Sequence, residues 1–336
     1  MLLTFALFIG SAVAIYLACE YFVNGVEWFG RKLKLSSTAT GTVLAAFGTA
    51  LPESAVTFVA VIFGKTPEAR DIGVGAALGG PLVLATIAYA VVGGALWLHL
   101  RRLKRADRII RVDSQRLARD QSWFLAIFVV KFGLGLVAFA IKPWLGLLFL
   151  AAYGMYVWRE MRSGDHTPDD EEELEPLKFR PRQSDPAMRW VASQTFLALA
   201  VIAAASRVFV GQLEAIGALF SLPAHLVALA LSPVATELPE TVNALIWVRQ
   251  GKERLALANI SGSMMIQATI PSSLALFATP WLFDAPLVAA GVLTMIAIGY
   301  LGWLFHRGRV DARWLLPVGA LYGVFALFVA YHFGLR

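Results

Sequence analysis

The chain has 336 residues, of which 58% are hydrophobic and only 15% charged, and its mean hydropathy is +0.66. Soluble domains carry about a quarter charged residues, so a sizeable solvated domain is excluded and any chemistry lies within or beside a membrane. The net charge of +6 and the pI near 9.5 do not point to a nucleic-acid partner, because the basic residues sit between apolar stretches, where they report topology.

A hydrocarbon core about 30 Å thick takes roughly 20 helical residues to cross. In chain order the apolar stretches are 2–19, 40–63, 72–98, 121–141, 143–158, 190–212, 225–248, 256–278, 285–305 and 314–334. The expectation is an all-α integral membrane protein with about ten transmembrane helices. Ser11-Ala12-Val13-Ala14 and Leu17-Ala18-Cys19 look superficially like processing sites, but no positive segment precedes them, so span 1 reads as a retained helix. Cys19 is the sole cysteine, which excludes an internal disulfide.

Between spans 5 and 6 runs Asp169-Asp170-Glu171-Glu172-Glu173, followed by Glu175. A low-affinity calcium sensor is one reading and a solvated acidic linker the other; a block of like charge favours the linker. The expected organisation is therefore a five-helix unit over 1–160, a cytoplasmic linker over 161–189 and a second five-helix unit over 190–336. If the chain starts outside, the five inner connections hold 23 of the 29 Lys and Arg residues. Positive short loops stay in the cytoplasm. Both termini should then face outward, in a prokaryotic cytoplasmic membrane.

Shifting the sequence by 187 residues superimposes Glu27 on Glu214, Gly30 on Gly217, Thr49 on Thr236 and Leu51-Pro52-Glu53 on Leu238-Pro239-Glu240, with ten identities in the 32 positions 22–53. After a four-residue gap, Gly79 meets Gly262 and Ala85-Thr86-Ile87 meets Ala268-Thr269-Ile270. Five crossings separate the copies, and an odd number inverts the second. Inverted repeats with Pro-interrupted helices are the plan of secondary transporters, whose substrates bind near the bilayer midplane.

Glu53 and Glu240 fall midway through apolar spans, where a carboxylate is costly unless it is paired, protonated or bound to a cation. The proline before each removes an N–H and leaves a carbonyl near Thr49 or Thr236 without its helical donor. Carboxylates and carbonyls form an all-oxygen ligand set suited to calcium; the structural alternative is a protonated glutamate that only caps a helix break. Lys131, deep in span 4, either snorkels to a headgroup or pairs with an acid on a neighbouring helix. The five histidines show no metal-ligand spacing, and no nucleophile-elbow, zincin or Walker pattern appears, so an enzyme has no candidate site.

Gly48-Thr49-Ala50-Leu51-Pro52-Glu53 and Thr236-Glu237-Leu238-Pro239-Glu240 resemble the G-T-S-L-P-E signatures of the sodium/calcium exchanger (cation/calcium exchanger) superfamily, and Asn259-Ile260-Ser261-Gly262-Ser263 resembles its second G-N-x-x-G-S element. The resemblance implies that spans 2, 3, 7 and 8 enclose the ions while spans 1 and 6 slide past them. It also implies that Glu53 and Glu240 are calcium carboxylates and that Thr49 and Thr236 supply carbonyl oxygen. Glu27 and Glu214 become gate or interface candidates. The first G-N-x-x-G-S element is eroded: its polar positions are Ala76, Gly80 and Pro81, and the downstream amide position is Leu84. In the second copy Ser263 and Gln267 keep polar side chains there, and Glu237 is an additional acid that either replaces lost charge or faces a vestibule.

These residues point to a secondary antiporter moving calcium in exchange for sodium or protons, with inorganic cations and membrane lipids as partners and no bound cofactor. Proton coupling without sodium is the nearest alternative, since glutamates that release a divalent cation can take protons and the lost amides need no replacement. A non-transporting scaffold of the same fold would account for the eroded element, though not for both retained glutamates.

Overall fold

The computed structural model describes residues 1–32, 50–99, 108–162, 175–249 and 251–334. The first acidic run, 169–173, and Thr49 lie outside these residues. All named elements are helical: α1 (Leu2–Lys32), α2 (Leu51–Phe63), α3 (Pro67–Val83), α4 (Tyr89–His99), α5 (Ser114–Gly135), α6 (Gly146–Arg162), α7 (Met188–Phe220), α8 (Ala224–Thr236), α9 (Leu238–Arg249), α10 (Glu253–Ala278), α11 (Ala285–His306) and α12 (Pro317–His332). Six stretches among the described residues are long and apolar enough to cross a membrane, and the shorter apolar helices at 51–63 and 224–233 belong to the broken spans.

Helix starts follow local chemistry. Asp113, Asp284 and Asp311 accept backbone N–H bonds at the first turns of α5, α11 and the 3₁₀ turn Ala312–Leu315, and Thr66 does so for α3, with Pro67 next in line. Span 1 is longer than the apolar run 2–19 suggests. α1 continues through Glu20 and Glu27 to Lys32, about 46 Å at 1.5 Å per residue, and α7 likewise outruns the stretch 190–212 at both ends. The polar continuation of α1 packs against protein as well as water, and a hydropathy limit therefore ends it too early.

That packing involves the linker. Trp28 Nε1 donates to the Glu175 carbonyl at 3.0 Å, Asn24 Oδ1 accepts from Lys178 N at 3.0 Å, and Gln194 Oε1 accepts from Phe179 N at 2.8 Å. Gln194 Nε2 in turn reaches the Tyr21 carbonyl at 2.8 Å and Asn24 Oδ1 at 3.0 Å. The described end of the linker, from Glu175 onward, is thus hydrogen-bonded to α1 and α7 while most of its side chains stay exposed; the acidic block from which the solvated linker is expected lies outside the described residues.

α3 and α8, from opposite repeats, cross almost backbone to backbone. A Cβ on Gly75 would run into the His225 carbonyl, and one on Gly79 would sit 2.5 Å from the Leu229 carbonyl. This small-xxx-small spacing lets membrane helices approach closely. Past the crossing, Pro81 interrupts the α3 hydrogen-bond ladder, and the π turn Leu84–Ala88 absorbs the irregularity before α4.

Candidate ion-binding site

The second broken span shows how the site is built. α8 ends at Thr236, Glu237 occupies its C-cap with its N–H on the Pro233 carbonyl, and α9 begins at Leu238 with Glu240 in its first turn. In the first repeat, α2 begins at Leu51 with Pro52 and Glu53 in its first turn. Both glutamates therefore sit at helix N-termini, where the unpaired N–H groups and the aligned peptide dipoles favour negative charge. Proline is tolerated there because the missing N–H has no helical acceptor to serve.

Three carboxyl groups meet in this region. Glu53, Glu237 and Glu240 are each 1% exposed, so none of the three side chains faces bulk water in this conformation. Thr236 Oγ1 of the second repeat donates to Glu53 Oε2 of the first and lies 3.0 Å from the Ser232 carbonyl. Ser263 Oγ donates to Glu240 Oε1 at 2.8 Å, and Gln267 Nε2 to Glu237 Oε1 at 2.6 Å. The Glu240 carboxyl lies close enough to act electrostatically on both Glu237 and Glu53. Among the described residues, Glu53 Oε1 and Gln267 Oε1 are buried with no protein partner, so oxygen lone pairs remain available for a ligand.

Of the residues singled out in the sequence, Glu53, Thr236, Glu237, Glu240, Ser263 and Gln267 are brought together. Thr49 falls outside the described residues. Glu27 is half-buried in α1 and Glu214 exposed in α7, and no described contact links either to the carboxyl cluster.

Two residues acquire meanings that the sequence did not disclose. A Cβ on Gly80 would lie 2.5 Å from Gln267 Oε1 and 3.2 Å from Glu237 Oε1. The absent side chain in the first repeat is the space into which two second-repeat side chains extend. Lys131 is corrected outright: it neither snorkels nor forms an ion pair among the described residues. Its fully buried ammonium donates to the Ala77 carbonyl and to Ser272 Oγ, both at 3.0 Å. The facing geometry of inverted copies has no imprint on a single strand of sequence, which is why spacing alone missed both.

The family model described as sodium/calcium exchanger protein matches residues 3–161 and 190–334. The chain belongs to that family. It is therefore a membrane cation antiporter of the cation/calcium exchanger group and a transporter, not an enzyme. The exchanger is similar to CaxA of Alkalimonas amylolytica, provisionally named an antiporter, with 26% identity over 322 residues, 93% of this chain and 95% of the relative. Its fold matches an H+/Ca2+ exchanger, CAX, with TM-score 0.76 and 16% identity over 96% of this chain and 82% of that one. It also matches the sodium-calcium exchanger NCX_Mj, with TM-score 0.58 and 18% identity over 96% and 97%. The all-α architecture of ten helices in two inverted repeats is that of these neighbours.

Proposed function

We propose that the exchanger moves calcium across a prokaryotic cytoplasmic membrane in exchange for protons, by alternating access, with Glu53, Glu237 and Glu240 as ligands in an all-oxygen site. Thr236, Ser263 and Gln267 complete the set, and Thr49 joins it as the repeat partner of Thr236. The units 1–160 and 190–336 are the two halves of the machine, with both termini outside and lipid around the apolar belt formed by side chains such as Phe196 and Leu327.

The observation that carries the reading is the convergence of three buried carboxyl groups from both repeats at helix starts. A closed site cannot hold three uncompensated carboxylates, so it must be occupied by cations or protons at every stage of a cycle. The fold accommodates both sodium and proton coupling, and the choice rests on side chains. Sodium sites need several separate oxygen-lined positions, yet α3 and the π turn after it present Ala76, Gly80, Pro81 and Leu84 there. Protons need only the carboxyls. Three carboxyl groups crowded in one buried cluster favour them, because protons relieve the repulsion without any further ligand. Calcium entering the cluster displaces protons, and returning protons displace calcium.

Uptake of radioactive calcium into proteoliposomes tests the coupling. An imposed pH gradient should drive uptake with no sodium present, and a sodium gradient at fixed pH should add little. Strong sodium dependence with no response to a pH gradient would remove proton coupling and leave the calcium site standing. Cysteines introduced at Ser163 and Lys65 should label from opposite sides of the membrane; labelling from one side would overturn the topology.

A further inference from the structure

A groove of about 300 Å³ runs between α1 and α7 and shares no lining residue with the carboxyl cluster. Ala14, Leu17 and Ala18 of α1 form one wall, and Leu197, Ala198 and Val201 of α7 form the other. The alanines leave the space, and Leu17 and Leu197, 48% and 55% exposed, open it to the outside of the bundle. On α7 the wall continues a stripe in which positions 190, 194, 197, 198 and 201 recur at helical steps and share one face.

The linker closes one end of this groove. Phe179 lines it, packs edge-on against Tyr21 of α1 at 5.9 Å, and has its N–H held by Gln194 of α7 at 2.8 Å. Lys178 and Arg180 flank Phe179. Lys178 is already paired with Glu20 at 3.2 Å, and Lys32 takes Asp185. Arg180 differs. Its guanidinium stacks on Trp190, at the head of the α7 stripe, 3.8 Å from the ring centroid, and the Arg189 guanidinium lies 5.7 Å from the same ring. Neither arginine forms an ion pair among the described residues, and Arg180 Nε is buried there without an acceptor. Two guanidiniums gathered on one indole repel each other until an anion joins them. Their forked donors match the oxygens of a phosphate. Beyond Tyr21, Phe179 and Gln194 the groove is alkyl, so a ligand that satisfies both ends is an anion carrying a hydrocarbon tail.

We propose that this groove binds an anionic phospholipid, with its phosphate on Arg180 and Arg189 and one acyl chain between α1 and α7. A zwitterionic headgroup fits less well, because its own ammonium meets the second guanidinium. The site stands independently of the ion-site reading. Only the leaflet follows from the proposed topology, which places the linker in the cytoplasm, where anionic lipids attract basic segments.

The test uses the full-length protein in phosphatidylcholine nanodiscs doped with phosphatidylglycerol or phosphatidylcholine, each carrying the same photoreactive acyl chain. Mass spectrometry then locates the cross-linked residues. Phosphatidylglycerol should mark the groove around Leu17 and Leu197 roughly tenfold more than phosphatidylcholine does, given the pull of two arginines. Leu327, 73% exposed on α12, should be marked equally by both. Arg180→Gln combined with Arg189→Gln should erase the preference in the groove and leave Leu327 as it was. Ala14→Phe keeps both arginines but fills the groove, and it should abolish labelling at Leu17 and Leu197. Equal labelling of the wild-type groove by the two lipids would mean an ordinary bilayer lipid only and would overturn the proposal. So would a preference that survives the loss of both arginines, or groove labelling unchanged in A14F. If the arginine variant fails to fold, the wild-type comparison decides by itself.

Discussion

The two halves of the site share a backbone plan but not a chemistry. Both begin a half-helix with Leu-Pro-Glu and present a buried glutamate at its first turn. Beyond that glutamate, the second repeat supplies Thr236, Glu237, Ser263 and Gln267, while α3 of the first supplies glycine, proline and alkyl side chains. Gly80 shows that this is a division of labour and not decay, because the volume it leaves is filled by Glu237 and Gln267 reaching across the repeat boundary. Under the proposed function, the described part of the second repeat concentrates the ligands and α3 of the first makes room for them.

The sharpest way to break this comparison is to remove the carboxylates one at a time. Glu53→Gln and Glu240→Gln should each reduce calcium flux by at least roughly 100-fold, as expected when one charged member of a buried ionic assembly is lost. Glu237→Gln should also weaken calcium binding, since the proposed division of labour makes it a ligand. Equilibrium calcium binding to each purified variant is the measurement. An unaffected Glu237→Gln would mean that the second repeat contributes one carboxylate like the first, and the asymmetry would be steric only.

A smaller effect tests the cross-repeat fit. Gly80→Ala places a methyl group 2.5 Å from Gln267 Oε1, and overpacking of this kind costs about 1–3 kcal/mol. Gln267→Ala alone costs Glu237 its donor at 2.6 Å. Together the two should be less harmful than their sum by more than about 1 kcal/mol, because shortening Gln267 relieves the collision. Thermal unfolding in detergent, read as a double-mutant cycle, supplies the number. Additive losses would show that Gly80 and Gln267 do not compete for one space.

Much of this arrangement was legible before any coordinates. Glu53 and Glu240 announce themselves because a carboxyl after proline in an apolar span has few uses, and the 187-residue register says that it occurs twice. Gly80 and Leu84, by contrast, read as losses, since a missing polar group is visible in sequence and the neighbour occupying its space is not. Lys131 was visible as a buried charge, but its acceptor is a backbone carbonyl whose availability depends on Pro81, 50 residues away on another helix. The end of α1 was misplaced for a related reason. Its polar continuation at Asn24 and Trp28 is matched by linker backbone, and hydropathy weighs only residue against solvent.

The smallest expected effect lies at the far end of α8, away from the carboxyl cluster, and it tests whether the second repeat's polar side chains matter outside the site. His225 Nε2 is 2.7 Å from Asp284 Oδ2, which joins the start of α8 to the N-cap of α11. Burial alone would raise the Asp284 carboxyl, but the His225 hydrogen bond and charge and the Leu287 N–H outweigh it and hold the carboxyl below its ordinary range. A carboxyl lowered on folding contributes its stabilisation in full above its unfolded value and loses it as pH falls through the folded one. The contribution is thus complete at neutral pH, begins to fall near the unfolded value of about 4, and is gone only below the lower folded value. Because the Asp284 side chain is 43% exposed, solvent screening keeps it small. Asp284→Asn retains a capping side chain and should cost under about 1 kcal/mol at pH 7, with the difference from wild type vanishing at low pH and calcium affinity unchanged at both. Thermal unfolding of the two proteins across the acid range is the check. A change in calcium affinity at neutral pH would show that the outer end of α8 is coupled to the site, and the division of labour between repeats would then extend along the whole broken helix.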